Sequence, residues 1–203
     1  MIDRVTLAIT GASGVHYSLR LLRALVAANI QISLLISRAA EVVIRTETEL
    51  DLPQTREEQQ AYLCAYSNAQ PNQLVLFGRE DWFSPVASGS SSPTAMVICP
   101  ASGGTLSAIA TGASNNLIER AADVALKERR QLIVVPRETP YSEVHLENML
   151  KLTRMGVVVL PASPGFYQSP KCIDDLVDFV VARILDQLHV PHTLLKKWGE
   201  EDV

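Results

Sequence analysis

The sequence predicts one α/β domain with three layers: a doubly wound parallel sheet with helices packed on both of its faces. Strand-like and helix-like segments alternate along the chain, which indicates βαβ units joined by right-handed crossovers. Residues 132–135 form a continuous apolar run, typical of a strand buried on both faces. The 203 residues, 47% hydrophobic and 20% charged, suffice for one substantial core. We expect this domain to span residues 1–190, with a C-terminal tail at 191–203.

Each element has its own local signal. Short apolar runs bounded by turn residues predict strands at residues 5–10, 32–36, 74–77, 95–99, 132–135 and 157–160. Apolar residues at three- and four-residue spacing predict helices at 15–28, 39–48, 56–66, 142–155 and 173–188, and helix within 106–129 that breaks near Gly112. Residues 84–94 are rich in Ser, Pro and Gly without periodicity, and are predicted to form a loop.

The overall composition excludes several classes of protein. A net charge of −4 and a sequence pI of about 5.6 disfavour a nucleic-acid binder, which would carry a basic patch. No apolar run approaches the roughly 18 residues of a membrane helix, and the N-terminus lacks a signal-peptide layout. Three widely spaced cysteines form neither a disulfide framework nor a zinc pattern. We therefore expect a cytoplasmic protein without a structural metal.

The loops that follow the strands carry small or charged residues. In a sheet of this kind these loops share one edge, where ligands bind. The loops contain residues 10–14, Ser37, 100–105, 136–140 and 161–167. Small residues before a helix allow backbone N–H groups to bind an anion, typically a phosphate. Together these loops predict a site for a planar ligand that carries a phosphate.

The first loop also narrows the choice of ligand. It offers only Gly11 and Gly14, not the G-x-G-x-x-G pattern of dinucleotide sites. The second strand ends at Ser37, where an NAD site would have Asp or Glu. A mononucleotide such as FMN therefore fits better than NAD.

Several other motifs are ambiguous by themselves. Tyr167 and Lys171 imitate a dehydrogenase pair, but the intervening Pro170 disfavours a shared helical turn. Arg120 and Lys127 fit either an exposed charged helix face or a second phosphate site. Arg183 lies in a largely apolar helix, where it either snorkels to solvent or binds phosphate.

Taken together, the motifs resemble the flavin prenyltransferase family of the UbiX type along nearly the whole chain. They are residues 10–14 (TGASG), 87–90 (ASGS), 99–102 (CPAS), 105–108 (TLSA), 116–130 (NLIERAADVALKERR), 135–140 (VPRETP), 145–149 (HLENM) and 164–167 (PGFY). The resemblance implies a flavodoxin-like (Rossmann-like) fold and a dodecamer with FMN at subunit interfaces. It implies that the dimethylallyl group of dimethylallyl monophosphate is joined to N5 and then C6 of reduced FMN without a metal. The product, prenylated FMN, would serve a UbiD-type decarboxylase in ubiquinone biosynthesis and related pathways.

The resemblance also assigns roles to individual residues. The implied FMN contacts are Gly11, Ala12, Ser13, Ser37, Ser102, Gly103, Gly104, Thr105 and Arg137. The implied isoprenyl-phosphate group is Arg120, Lys127, Glu138, Tyr167, Arg183 and Trp198, some of it from a neighbouring subunit. The implied catalytic residues are Ser13, Glu47 and Glu138. The chain departs from many relatives at Ala101 and Gly103–Gly104, where they carry Cys or Met and bulkier residues.

Two chemical requirements accompany this reading. A glutamate that passes a proton to phosphate needs a raised pKa, and ring closure at C6 needs a base, for which Glu47 and the departing phosphate are candidates. Two alternatives stay open: an FMN-dependent cysteine-type decarboxylase, for which His16 near the first loop is the relevant histidine, and a passive FMN-binding module.

Overall fold

The computed structural model describes residues 2–195 and is built on one sheet. Its strands are β1 (Arg4–Ile9), β2 (Gln31–Ile36), β3 (Leu74–Phe77), β4 (Ala95–Ala101), β5 (Gln131–Pro136) and β6 (Val158–Val159). The sheet has six strands in the order β3-β2-β1-β4-β5-β6, and every neighbouring pair is parallel. The predicted doubly wound parallel sheet is thereby confirmed.

Helices cover both faces of the sheet. They are α1 (Val15–Ala27), α2 (Arg38–Glu47), α3 (Arg56–Ser67), α4 (Gly103–Thr111), α5 (Leu117–Lys127), α6 (Glu143–Arg154) and α7 (Ile173–Gln187). One core cluster joins the sheet to α1, α2, α3 and α7, and a second joins it to α4, α5 and α6. Alternate strand residues serve the two clusters: Leu7 and Ile9 face the first and Ala8 faces the second. The three layers follow from this alternation.

The element bounds differ from the predicted ones by small amounts, for local reasons. The helix predicted to break near Gly112 does end there, and Gly112 adopts φ 74°, which favours glycine. Its first half begins at Gly103 rather than residue 106, because Ser102 caps it with a side-chain hydrogen bond. The loop at 84–94 contains a short 3-10 helix, Pro85–Ala87.

The strand order places the switch point between β1 and β4, the two central strands. From there the chain winds outward in both directions, so the loops after β1 and β4 diverge and leave a crevice at the carboxyl edge. Within residues 2–195, none of the helices has the length and apolar character needed to cross a membrane.

Candidate functional site

Thr10 joins the two loops that border the central crevice. Its Oγ1 donates to the carbonyl of Pro100 at 2.7 Å and accepts from the backbone N–H of Ser102 at 2.9 Å. The Thr10 backbone N–H donates to the same carbonyl at 3.2 Å, and the residue is only 2% exposed. Sequence reasoning included Thr10 in a motif but assigned it no role. The signal that could have found it is a hydroxyl at the end of a central strand beside the switch point.

The loop after β4 ends in a serine-capped helix. Ser102 Oγ accepts from the Thr105 backbone N–H at 3.3 Å and lies 3.0 Å from Thr105 Oγ1. A Cβ added to Gly104 would meet no atom within 4 Å, so the first turn of α4 is open on that side. These donors can receive an anionic or hydrogen-bonding ligand at the start of α4.

Gly103 has a different neighbour. A Cβ at this position would lie 2.7 Å from Nε2 of His145 on α6. The His145 ring is held by the Ser142 backbone N–H, which donates to Nδ1 at 3.2 Å. The absence of a side chain at position 103 therefore leaves room for an imidazole beside the loop.

Ser37 forms a second capped helix start next to the first. Its Oγ accepts from the Ala40 N–H at 3.1 Å, and its own N–H donates to the Ile9 carbonyl at 3.0 Å. A cavity of about 240 Å³ lies between the starts of α2, α4 and α5; its polar lining is Ser37, Arg38, Arg79, Thr105, Asn116 and Glu119, and the rest of its lining is apolar. The helix N-termini, hydroxyls and guanidinium groups favour the phosphate of a mononucleotide here, whereas the Glu119 carboxylate opposes it.

The start of α1 holds an anion that belongs to the protein itself. Glu47 Oε2, at the end of α2, accepts from the backbone N–H groups of Gly14 at 2.8 Å and Val15 at 3.1 Å. These are the donors that the sequence offered to a ligand phosphate. This carboxylate occupies the positive end of the α1 helix dipole, whereas serine side chains cap the starts of α2 and α4.

The same contacts set the charge of Glu47. Burial by itself would raise the pKa of this carboxyl, but hydrogen bonds from the Ser13 side chain and from the Gly14 and Val15 N–H groups outweigh it and lower the pKa. The condition of a raised pKa for a proton donor is thus not met at Glu47. A carboxylate with a lowered pKa is charged at neutral pH and holds no proton to donate, and the lowered pKa also makes it a weaker base.

Arg137 and Glu138 follow β5 and make separate contacts. Arg137 Nε donates to the carbonyl of Ser13 at 3.1 Å, which places the guanidinium over the first loop. Glu138 Oε1 accepts from the Thr139 N–H at 3.1 Å. The side chains of Arg137 and Glu138 are therefore held by different groups. Arg137 contacts Ser13, in the same loop whose Gly14 N–H is bound by Glu47.

Tyr167 lies in the loop that follows β6. Its ring meets that of Phe179 edge-on, with centroids 5.4 Å apart, and 54% of the residue is exposed. Gly165 allows this approach, because a Cβ there would lie 2.8 Å from Phe179 Cζ. The phenol is thus held by packing at the same edge of the sheet and is accessible from outside.

The remaining predicted cations have other partners. Arg120 donates to the Ala87 carbonyl at 3.1 Å and to Asp123 at 2.7 Å, whereas Lys127 pairs with Glu128. Seven residues of helix separate these two cations by about 10 Å. Arg183 pairs with Asp186 at 2.7 Å.

Within residues 2–195, no hydrogen bond or ion pair links Arg120, Lys127 or Arg183 to the loops after β1, β4 and β5. The polar partners of these three cations within the described residues therefore lie outside the three loops that carry most of the predicted flavin contacts. Trp198 lies outside the described residues.

Comparison with known proteins agrees with this geometry. The sequence profile of the Flavoprotein family matches residues 2–185. The chain is 59% identical to the flavin prenyltransferase UbiX of Pseudomonas aeruginosa over 199 residues, which covers 98% of this chain and 95% of that protein.

Solved structures extend the comparison. The structure of AnUbiX in complex with FMN and dimethylallyl pyrophosphate has a TM-score of 0.86 and 36% identity and covers 100% of both chains. A dodecameric, FMN-dependent UbiX-like decarboxylase from Escherichia coli has a TM-score of 0.83 and 37% identity and covers 97% of this chain and 99% of its own. A PPC decarboxylase, 19% identical with a TM-score of 0.60, shares the fold alone. The family match, together with the sequence identity and coverage of these relatives, shows that the chain belongs to the flavin prenyltransferase family of flavoproteins.

Proposed function

We propose that this protein transfers the dimethylallyl group of dimethylallyl monophosphate to reduced FMN and releases prenylated FMN. The observation that carries the proposal is the pair of serine-capped helix starts around one cavity, beside a guanidinium and a carboxylate on the neighbouring loop. The flavin prenyltransferase relatives and the FMN and dimethylallyl pyrophosphate complex of one of them support it.

The donors around the crevice fit a flavin mononucleotide. Ser37 and Thr105 line the cavity and would hold the phosphate, together with Ser102 and the backbone of Gly104. The other predicted flavin contacts, Gly11, Ala12, Ser13, Gly103 and Arg137, belong to the loops on either side of the crevice. Reduced FMN, when bound, supplies N5 as the nucleophile and C6 as the second carbon-bonding position. The protein then needs no nucleophilic side chain of its own.

Departure of phosphate from the allylic carbon requires positive charge and proton donors. We assign this task to Arg120, Lys127, Tyr167, Arg183 and Glu138. Within residues 2–195, Arg120, Lys127 and Arg183 form no hydrogen bond or ion pair with the central loops of their own chain, so they would act at a site completed by a neighbouring subunit. The dodecameric relative supports such an assembly for this chain.

Glu47 is assigned the role of base, with Ser13 as its hydrogen-bonded partner. Its carboxylate is charged at neutral pH and could receive the proton that leaves C6 during ring closure, as a weak base. Glu138, whose Oε1 accepts from the Thr139 N–H, is assigned to the leaving phosphate.

The wider setting belongs to the same proposal. A UbiD-type decarboxylase would receive the product in ubiquinone biosynthesis, and both proteins would work in the cytoplasm. The side-chain cations would stabilise the leaving group without a metal. Residues 1–190 would form the flavoprotein domain and 191–203 a tail near the site, with Trp198 as its aromatic contact. The cysteine-type decarboxylase alternative has only a shared fold in its support.

The direct test is to incubate the protein anaerobically with reduced FMN and dimethylallyl monophosphate and to weigh the released flavin. A mass increase of one dimethylallyl unit is expected, and an unchanged mass would refute the proposal. Heat-inactivated protein is the control for a reaction in solution.

Two variants then test the division of roles after β5. Arg137→Ala should weaken FMN binding, because it removes the guanidinium that holds the first loop through Ser13. Glu138→Ala should retain FMN and lose turnover by about 100-fold, the usual size of a proton-transfer contribution. Equal losses of flavin in both variants, measured by fluorescence titration, would contradict the assignment.

A further inference from the structure

Asp186 connects α7 to the segment that follows it. Its Oδ2 accepts from Arg183 at 2.7 Å, on the same helix, and its Oδ1 lies 3.0 Å from Nε2 of His192 beyond the helix end. The backbone N–H of Leu194 donates to His192 Nδ1 at 3.3 Å. Since Nδ1 is used as an acceptor, the ring proton resides on Nε2 and is donated to Asp186.

The segment after α7 is packed, which fixes the position of the imidazole. His189 adopts φ 53° and turns the chain, and Val190, only 5% exposed, enters the core. Leu194 packs against the same core cluster. The His192 side chain is 14% exposed, whereas those of Arg183 and Asp186 are 51% and 42% exposed. One end of this chain of contacts is therefore anchored and the other faces outward.

We propose that Asp186 and His192 are positioning residues that hold the Arg183 guanidinium for the phosphate of the isoprenyl substrate. This rests on the proposed function, in which Arg183 binds that phosphate. Asp186 engages the NH1 group of Arg183, which leaves other guanidinium N–H groups available for a phosphate. His192 limits the rotation of the Asp186 carboxylate. The carboxylate in turn fixes the orientation of the Arg183 guanidinium relative to the packed segment after α7.

The energetics separate this role from a structural one. An exposed ion pair three residues apart on a helix contributes little to stability. The contacts of Asp186 therefore affect the orientation of the Arg183 guanidinium toward a ligand more than they affect the stability of the protein. Because Asp186 also neutralises part of the Arg183 charge, removing it could instead tighten phosphate binding, and the two effects have opposite signs.

The experiment is a double-mutant cycle on the whole enzyme with reduced FMN, varying dimethylallyl monophosphate. Asp186→Ala should raise the KM for this substrate about fivefold, the change produced by a coupling of about 1 kcal/mol. The KM for FMN and kcat should stay within about twofold. His192→Ala should give a smaller rise, because Asp186 still contacts Arg183. In an Arg183→Ala background, Asp186→Ala should have no further effect.

Asp51→Ala is the matched control, since Asp51 forms an exposed pair with Arg45 outside the site; its KM should equal that of the wild type. An unchanged or lowered KM in Asp186→Ala, or an equal effect with and without Arg183, would overturn the inference. If the wild type forms no prenylated flavin, the proposed function fails. The dissociation constant of dimethylallyl monophosphate is then measured by calorimetric titration for the same four proteins. The positioning role is upheld if Asp186→Ala changes this constant only when Arg183 is present. It is overturned if the effects of the two substitutions are additive.

Discussion

Replacement of Thr10 by valine tests the connection between the two central loops. Valine keeps the shape of the side chain and removes its hydroxyl. The Pro100 carbonyl retains the Thr10 backbone N–H as a donor, whereas the Ser102 N–H loses its acceptor. The loss of one hydrogen bond costs about 1 kcal/mol, and a partly buried N–H without a partner costs about 1–3 kcal/mol. Together they predict that the variant is destabilised by about 2–4 kcal/mol.

The assay is urea unfolding of Thr10→Val and the wild type, followed by titration with FMN. Because Ser102 is the residue that caps α4, the affinity for FMN should fall about tenfold, equivalent to about 1.4 kcal/mol. Thr46→Val is the control: this exposed hydroxyl donates only to the Val42 carbonyl in its own helix, and the change should stay within about 0.5 kcal/mol. A loss of less than about 1 kcal/mol in Thr10→Val with unchanged FMN affinity would refute the reasoning.

The contacts of Glu47 and Gly103 lead to further predictions. Because Ser13 and the Gly14 N–H lower the pKa of Glu47, its carboxylate contributes stability above the ordinary carboxyl pKa, and the contribution is lost as pH falls through the lowered value. Glu47→Gln should therefore lower the free energy of unfolding at neutral pH by about 1 kcal/mol and flatten its acid dependence; parallel pH profiles for variant and wild type would contradict this. Gly103→Ala should displace His145 and weaken FMN binding more than Gly104→Ala, which has open space, as flavin fluorescence titration would show.

The sequence predicted the fold well because its signals are local. The helix break at Gly112 and the apolar run at 132–135 are features that short segments carry by themselves. The motifs also indicated which loops would share the carboxyl edge, because parallel strands with right-handed crossovers leave no other arrangement. The contact between Glu47 and the start of α1 could not be predicted, since it joins residues more than 30 positions apart through the packing of α2 on α1.

The sequence by itself thus determined the doubly wound sheet, the loops at its carboxyl edge and the preference for a mononucleotide over NAD. Tertiary structure decided which helix start holds a carboxylate of the chain, because Glu47 occupies that of α1, whereas α2 and α4 begin with serine caps. It also decided that Thr10 ties the central loops together and that the cations of α5 and α7 have partners away from the crevice. The physical reason is the same in each case: hydrogen bonds and charges act over a few ångströms in space, and only the packed chain sets which groups come that close.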